Sequence, residues 1–137
     1  LCFTDITRSA NTILSKQSKS SKKNKLKNSM LVNSVDKFEK ILLSGSIDET
    51  GNFLDKMWKI KKEMADGISN DSIEKLYEKG IEAGALGGKV LGAGGGGFIL
   101  FYVPRDNQKV FEDKMIQNTF LDFNFENHGS KIIFVEG

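Results

Sequence analysis

The sequence predicts an α+β domain, in which a small and mostly antiparallel sheet is covered by helices on one face. Apolar residues recur at helical spacing through residues 31–83, which indicates consecutive helices. Further along the chain they form short runs of strand length, separated by a cluster of glycines. The 137 residues are 39% hydrophobic and 28% charged. This is the size and composition of one domain, so we expect residues 1–137 to form a single unit.

The composition excludes several classes of protein. One cysteine and one histidine exclude an internal disulfide framework and multi-cysteine or histidine-rich metal sites. No apolar run approaches the roughly 18 residues of a membrane-spanning helix, and no charged-then-apolar leader is visible. These features predict a cytoplasmic protein that has no membrane partner and binds no metal ion through its own residues.

The chain begins within an apolar stretch, without Met or a short polar lead. Leu1–Ile6 has the pattern of a strand, so we expect these residues to belong to a longer polypeptide. After this strand, Thr7 is expected to cap a short helix over residues 8–15.

Positive charge is concentrated in residues 16–28, which contain six lysines and no acidic residue. The stretch is rich in serine and asparagine and has no periodicity, so it predicts a solvated, disorder-prone loop over residues 16–30. Such a run can contact nucleic-acid phosphates. It lacks the interleaved aromatic residues and arginines that read bases, so nucleic acid is the less favoured partner.

Three helices are predicted after the lysine run. The first ends at Gly45, a residue that readily takes the left-handed conformation. Ser46 and Glu49 have the spacing of a capping box, so a second helix begins there and ends near Gly67. The third covers residues 71–83. The side chains expected to face inward from these helices are Leu31, Val35, Phe38 and Leu42, then Leu54, Met57, Trp58 and Met64, then Ile73, Tyr77 and Ile81.

The rest of the chain predicts strands around one helix. A short strand, Lys89–Leu91, precedes most of the glycines. The continuous apolar run Phe98–Val103 follows as a well-buried central strand, which Pro104 stops. The remaining expected elements are a helix over residues 106–118, with Val110, Phe111 and Met115 inward, and strands over residues 121–125 and 132–135.

Seven of the fourteen glycines lie within residues 87–97, where two phosphate-binding motifs can be tested. A Walker A loop does not fit, because Ala83 and Val90 replace its first glycine and its hydroxyl residue. A G-x-G-x-x-G pattern begins at Gly92. A strand follows it, however, where a dinucleotide fold has the helix whose N-terminus holds the pyrophosphate. The sequence therefore contains neither phosphate-binding motif in the structural context in which it binds phosphate.

What remains is a strand–loop–strand unit with the loop Gly92-Ala93-Gly94-Gly95-Gly96-Gly97. Such a loop lets a ligand or another chain segment lie directly on the backbone, and its successive N–H groups can form an anion-binding nest. A hairpin turn needs far fewer glycines. Each surplus glycine costs roughly 0.5–1 kcal/mol relative to alanine. We therefore infer that a ligand or a partner occupies this loop.

Several stretches resemble the GHMP kinases, a family that includes galactokinase, homoserine kinase and mevalonate kinase. Lys89–Phe98 resembles the third conserved motif of that family. Stretches within residues 58–89 resemble its sugar-phosphate branch. Thr4–Ala10 resembles the T-G-x-x-R-x-A segment of the same branch, with Asp5 where the family usually has glycine.

The resemblance implies a ferredoxin-like C-terminal domain of a kinase. Such a kinase transfers the γ-phosphate of ATP, with Mg²⁺, to a hydroxyl of a heptose 7-phosphate or a related sugar. The central nucleotide-binding motif of the family is absent from this sequence, and so is the N-terminal domain that bears the catalytic aspartate. The resemblance thus implies a sugar phosphate and a missing N-terminal domain as partners, with ATP and Mg²⁺ held mainly by that domain. It implies no catalytic residue in these 137 residues and no activity for them alone.

The resemblance also assigns candidate site residues. Gly92–Gly97 forms one wall of the active cleft. Lys89, at the mouth of the loop, and Arg8, whose guanidinium can hold a phosphate bidentately, are predicted to bind phosphate. The residues predicted to border the cleft are Thr4, Lys61 and Lys62. For the lysines, the alternative is a side chain that extends past the core to solvent, and for Arg8 it is a surface ion pair.

Two other functions remain open. Residues 97–101 resemble the end of an aromatic RNA-recognition motif, although glycines replace its leading basic residue and first aromatic ring. This would make the domain a nucleic-acid-binding module. A kinase C-terminal domain can also act as a non-catalytic regulatory domain that binds a sugar phosphate.

Overall fold

The computed structural model describes residues 1–20 and 23–131. In chain order, its helices and strands are β1 (Cys2–Phe3), α1 (Ala10–Lys19), α2 (Lys25–Ser44), α3 (Glu49–Lys62), α4 (Asp71–Ala83), β2 (Gly87–Val90), β3 (Phe98–Tyr102) and α5 (Gln108–Lys114). A 3₁₀ turn over Arg105–Asn107 leads into α5. Within the described part of the chain, no helix has the length and apolarity needed to cross a membrane.

The strands form one antiparallel sheet in the order β1-β3-β2. Ile99 of β3 pairs with Cys2 on one side and with Val90 on the other, and all three side chains are fully buried. Because neighbours across strands share a face, these residues define the buried face of the sheet. The predicted α+β class with a small antiparallel sheet is therefore confirmed.

The core lies between this face and the helices. Phe101 is two residues beyond Ile99 and so points the same way. Its ring lies 5.8 Å from that of Tyr77 on α4 and 5.6 Å from that of Phe111 on α5. Residues of β3 that point to the opposite face are only half-buried, so β3 is central as predicted but is not buried throughout. The fully or nearly fully buried side chains around this core include Ile13, Trp58, Ile68, Ile73 and Met115.

Helix α3 lies directly against β2, and glycines make this possible. A Cβ on Gly87 would overlap the carbonyl of Gly51, and a Cβ on Gly51 would lie 2.6 Å from Cβ of Leu86. The helix therefore runs along the β2–β3 hairpin at backbone distance. Its last turn, which carries Lys61, reaches Gly92 at the end of that hairpin.

Helix α4 is the element whose boundaries were predicted best. It begins at Asp71 and ends at Ala83, and Gly84 follows in the left-handed conformation. Its cap is Asn70, whose side-chain oxygen accepts a hydrogen bond from the Ile73 amide at 3.1 Å. Ile81, predicted to face inward, is 38% exposed instead.

The expected loop over residues 16–30 is mostly helical. Residues 16–19 complete α1 and residues 25–30 begin α2. Lysine is a good helix former, and buried residues anchor both ends of the stretch. Ile13 is buried in the core, and the side-chain amide of buried Asn24 donates a hydrogen bond to the Met64 carbonyl.

Several other predictions of element boundaries, caps and inward-facing side chains were wrong. β1 is shorter than residues 1–6, and Ser9 rather than Thr7 precedes α1. The capping box does not form, because the Glu49 amide donates to the backbone carbonyl of Ser46 at 3.0 Å. The predicted helix over residues 106–118 divides into the 3₁₀ turn and α5. Predicted inward side chains that are at least half exposed are Val35, Leu42 and Val110.

The last part of the described chain differs from the prediction. Residues 121–125 form no strand, and Leu121, Phe123 and Phe125 are 50%, 47% and 87% exposed. Alternation alone does not make a strand unless a partner strand covers one face. The strand predicted over residues 132–135 lies outside the described residues.

Candidate functional site

The loop between β2 and β3 is held from both sides by the backbone of its own chain. The Leu91 amide donates to the Phe98 carbonyl at 2.9 Å and closes the hairpin. Further along, the Gly95 amide donates to the Ile68 carbonyl and the Gly97 amide to the Ile6 carbonyl, both at 2.8 Å. Since these two amides are already paired, they are not donors of a nest for an anion.

Three of the loop glycines are needed for packing. A Cβ on Gly94 would lie 2.6 Å from the Ile68 carbonyl oxygen, and one on Gly95 would lie 2.9 Å from the Gly67 carbonyl oxygen. A Cβ on Gly96 would overlap the carbonyl oxygen of Ile6. The inference that a ligand or partner accounts for the surplus glycines is therefore corrected here, because neighbouring chain segments occupy this space.

The two ends of the loop are open. At Gly92 and Gly97 nothing lies within 4 Å of the position of a Cβ, and both residues have positive φ (68° and 84°). Glycine is needed there for its backbone conformation. Gly92 is exposed, and its carbonyl accepts a hydrogen bond from Nζ of Lys61 at 2.5 Å. The Gly92 end is therefore the part of the loop that a ligand can reach.

The N-terminal segment supports the other end. The amide and the hydroxyl of Thr4 both donate to the Gly97 carbonyl at 2.9 Å, and Thr4 is 7% exposed. Thr4 therefore supports the Gly97 end of the loop, and its predicted place at the border of the cleft stays a prediction. Arg8 is exposed, and among the described residues it forms no ion pair, so its predicted phosphate contact stays a prediction.

Two half-buried lysines lie on the elements that lead to the open end of the loop. Lys61 comes from the last turn of α3, and Lys89 from β2. Burial lowers the pKa of Lys61 below its ordinary value, and the positive charge of Lys89 lowers it further. The positive charge of Lys89 thus disfavours the charged form of Lys61. An anion bound to Lys61 would favour that form again.

Lys62 differs from its neighbour. Its Nζ is 2.5 Å from Oε2 of Glu74 on α4, and Ser69 donates a hydrogen bond to the other oxygen of the same carboxylate. Lys62 is therefore held in an ion pair that joins α3 to α4. Of the two adjacent lysines predicted to border the cleft, Lys61 is the one next to the glycine loop.

Sequence reasoning missed the segments that hold the loop. Ile6, Gly67 and Ile68 supply the carbonyl groups that contact it. Only the high glycine content of the loop indicated that some segment approaches closely, without indicating which.

The chain is similar in sequence to known proteins. Residues 38–120 match the family described as "GHMP kinases C terminal". The chain is 31% identical, over 96% of its length, to the D-glycero-alpha-D-manno-heptose 7-phosphate kinase of Campylobacter jejuni. It is 29% identical, over 63% of its length, to the bifunctional fucokinase/GDP-fucose pyrophosphorylase of Arabidopsis thaliana.

The chain spans 40% of the length of the Campylobacter relative and 9% of the length of the Arabidopsis relative. The matched region nevertheless contains α3, α4 and the whole β2–β3 hairpin with its glycine loop. The resemblance on which the sequence-based interpretation rests is thereby confirmed. From the fold, the glycine loop and these matches together, the chain belongs to the GHMP kinase family, as a C-terminal domain of that family.

Proposed function

We propose that this chain is the substrate-side C-terminal domain of an ATP-dependent sugar kinase. The kinase transfers the γ-phosphate of ATP to a hydroxyl of a sugar phosphate, and the name of the Campylobacter relative suggests a heptose 7-phosphate as the acceptor. One observation carries the proposal. Lys61, which is half-buried and has no acidic partner among the described residues, donates a hydrogen bond to the open Gly92 turn, in a chain that aligns with that relative over 96% of its length.

An ammonium group without an acidic partner, beside an exposed backbone turn, suits a phosphorylated ligand. Phosphoryl transfer depends mainly on positioning and on stabilising negative charge, and less on covalent chemistry by the protein. Lys61 has three N–H donors, and the Gly92 carbonyl accepts from only one of them. The other two remain for phosphate oxygens.

Among residues 1–20 and 23–131, no three His, Cys, Asp or Glu side chains lie close enough together to hold a metal ion. In phosphoryl-transfer sites Mg²⁺ is usually held by one or two carboxylates together with substrate phosphates. The family resemblance implies that Mg²⁺ and most of the ATP contacts belong to an N-terminal domain of a longer protein. On that proposal, this chain alone transfers no phosphate.

The test is an assay of the whole gene product that contains this chain. Incubated with ATP, Mg²⁺ and a heptose 7-phosphate, it should release ADP in proportion to the sugar phosphate consumed. The isolated 137 residues, assayed in parallel, should release none. If the whole protein turns over neither sugars nor sugar phosphates, the proposed function is wrong.

A further inference from the structure

A groove of about 350 Å³ lies between α1, α2 and α3 and shares Lys61 with the glycine loop. Small-molecule sites typically begin at about 300 Å³, so one monosaccharide can be accommodated. Lys61 is thus at one end of a groove as well as beside Gly92.

The polar lining of the groove suits a molecule with many hydroxyl groups. The groove is lined by amide and hydroxyl groups of Gln17 and Ser18 of α1, Asn28 of α2, and Asn24, the residue directly before α2. Side-chain amides both donate and accept hydrogen bonds, which matches sugar hydroxyls. Among the described residues, Gln17 and Asn28 make no side-chain hydrogen bond within the chain. Their polar groups are therefore open to a ligand.

The apolar lining has a complementary use. Leu14, Leu31 and Met64 border the same groove, from α1, α2 and the residues after α3. Apolar side chains suit the C–H faces of a sugar, whose hydroxyl groups point toward the polar residues. The described residues that line the groove include no carboxylate. A negatively charged ligand would therefore meet no repelling group there.

The charge of the groove is uncompensated at its Lys61 end. Some lysines on or beside α3 have acidic partners: Lys59 pairs with Asp55 at 2.7 Å and Lys27 with Glu63 at 2.9 Å, whereas the exposed Lys56 pairs with no described residue. Lys61 and Lys89 have none among the described residues. A half-buried charge without a counter-ion is unfavourable, and a dianionic phosphate would remove this cost.

We propose that this groove is the sugar subsite of the kinase, an inference that rests on the proposed function. The phosphate that the sugar already carries is held by Lys61 beside Gly92, while its hydroxyl groups face Gln17, Asn24 and Asn28. The ligand class is a monosaccharide phosphate, and Lys61 is its phosphate-binding residue.

The first test is steady-state kinetics of the whole protein with a Lys61→Met substitution, which keeps the length of the side chain and removes its charge. We expect KM for heptose 7-phosphate to rise about tenfold to a hundredfold, the usual effect of losing a hydrogen bond to a charged group. KM for ATP and turnover of the unphosphorylated heptose should not change. Lys61→Arg, which keeps the charge, should recover part of the loss.

Lys59→Met is the matched control, because it removes a lysine from the same helix that already has an acidic partner. It should leave every kinetic constant unchanged. Asn28→Ala should raise KM for the phosphorylated and the unphosphorylated sugar alike, since it acts on hydroxyl groups and not on the phosphate.

The possible outcomes separate this subsite from the proposed function. If Lys61→Met raises KM for ATP instead, the two lysines bind the nucleotide phosphates and the subsite is wrong. An unchanged KM for the sugar phosphate also refutes it. If the whole protein has no kinase activity, calorimetric binding of heptose 7-phosphate decides. Binding that Lys61→Met weakens tenfold or more supports the subsite while the proposed function fails, and equal binding by both proteins refutes the subsite.

Discussion

At the scale of single residues, Gly92 and Gly96 belong to the same loop but need glycine for different reasons. Gly96 has an ordinary φ, and its missing side chain leaves room for the Ile6 carbonyl. Gly92 has φ +68° and open space around it, so only its backbone conformation is demanding. Within one loop, therefore, Gly96 is required to avoid steric overlap and Gly92 is required to avoid backbone strain.

Replacing each of these glycines with alanine tests that distinction. Gly96→Ala should lower the free energy of unfolding by about 2–3 kcal/mol, because the new methyl group overlaps backbone that cannot move independently. Gly92→Ala should cost only about 1 kcal/mol, the strain of a left-handed alanine. Urea denaturation of both variants measures these values. Equal costs would mean that the loop does not pack against Ile6 as described.

Asp5 illustrates a departure that the backbone accounts for. Among the described non-glycine residues, Asp5 is the one with a positive φ, 56°. It stands at the position where the resemblance to the family leads us to expect glycine. Aspartate tolerates the left-handed conformation better than most residues. The chain therefore keeps the conformation that glycine would adopt, and Thr4 can still donate both its hydrogen bonds to Gly97.

At the scale of elements, Glu74 joins α3 to the start of α4. It lies in the first turn of α4, accepts a hydrogen bond from Ser69 and pairs with Lys62 of α3. Burial by itself would raise the pKa of Glu74. The hydrogen bonds from Lys62 and Ser69 outweigh that effect, so the pKa lies below its ordinary value. A carboxylate near a helix N-terminus is also favoured by the helix dipole.

The pH dependence of the free energy of unfolding measures how much the Glu74 contacts between α3 and α4 stabilise the fold. Because the pKa of Glu74 is lower in the folded chain, the unfolded chain binds the proton more readily. The stabilisation is thus complete above the unfolded pKa of about 4.3 and is lost as pH falls through the lower folded pKa. Denaturation at a series of pH values should show a smaller loss between about pH 5 and pH 3 for Glu74→Gln than for wild type.

Glu78→Gln serves as the control for that experiment. Glu78 is exposed on the same helix and forms no ion pair with another described residue. Its replacement should leave the pH dependence of wild type intact. A Glu74→Gln variant with wild-type pH dependence would contradict the role assigned to the junction.

At the scale of the whole molecule, the glycine loop links parts of the chain that are far apart in sequence. It joins β2 to β3 and hydrogen-bonds to Ile6 near the N-terminus and to Ile68 between α3 and α4. Lys61 of α3 contacts its open end. The loop is therefore part of the folded framework, and it positions the lysines rather than folding around a ligand.

Amide hydrogen exchange can test this rigidity. The amides of Gly95 and Gly97, whose acceptors come from other segments, should exchange only when those segments separate. The exposed Gly92 amide, measured in the same spectrum, should exchange about a hundredfold faster or more. Equally fast exchange at all three positions would show that the loop is mobile in the absence of a ligand.

The sequence predicts well where the signal is local. Gly45 and Gly84 end their helices in the left-handed conformation, and the glycine loop connects two paired strands. These outcomes depend on the preferences of a few adjacent residues. The groove was not predicted, for the same reason. Gln17 and Asn24 belong to a lysine-rich stretch whose polar composition concealed two helices, so the sequence did not indicate that they line one groove with Lys61.

The sequence by itself determined the class of fold, the family resemblance and the place of the glycine loop, because each is encoded in contiguous residues. Only the tertiary structure decided what the glycines do and which lysine stands beside them. Gly94 meets Ile68 across 26 residues of chain, and Lys61 meets Gly92 across 31. Such contacts depend on how α3 packs against β2, and no local preference encodes that packing. Lys61 and Lys62 are adjacent in sequence, but one faces the loop and the other pairs with Glu74.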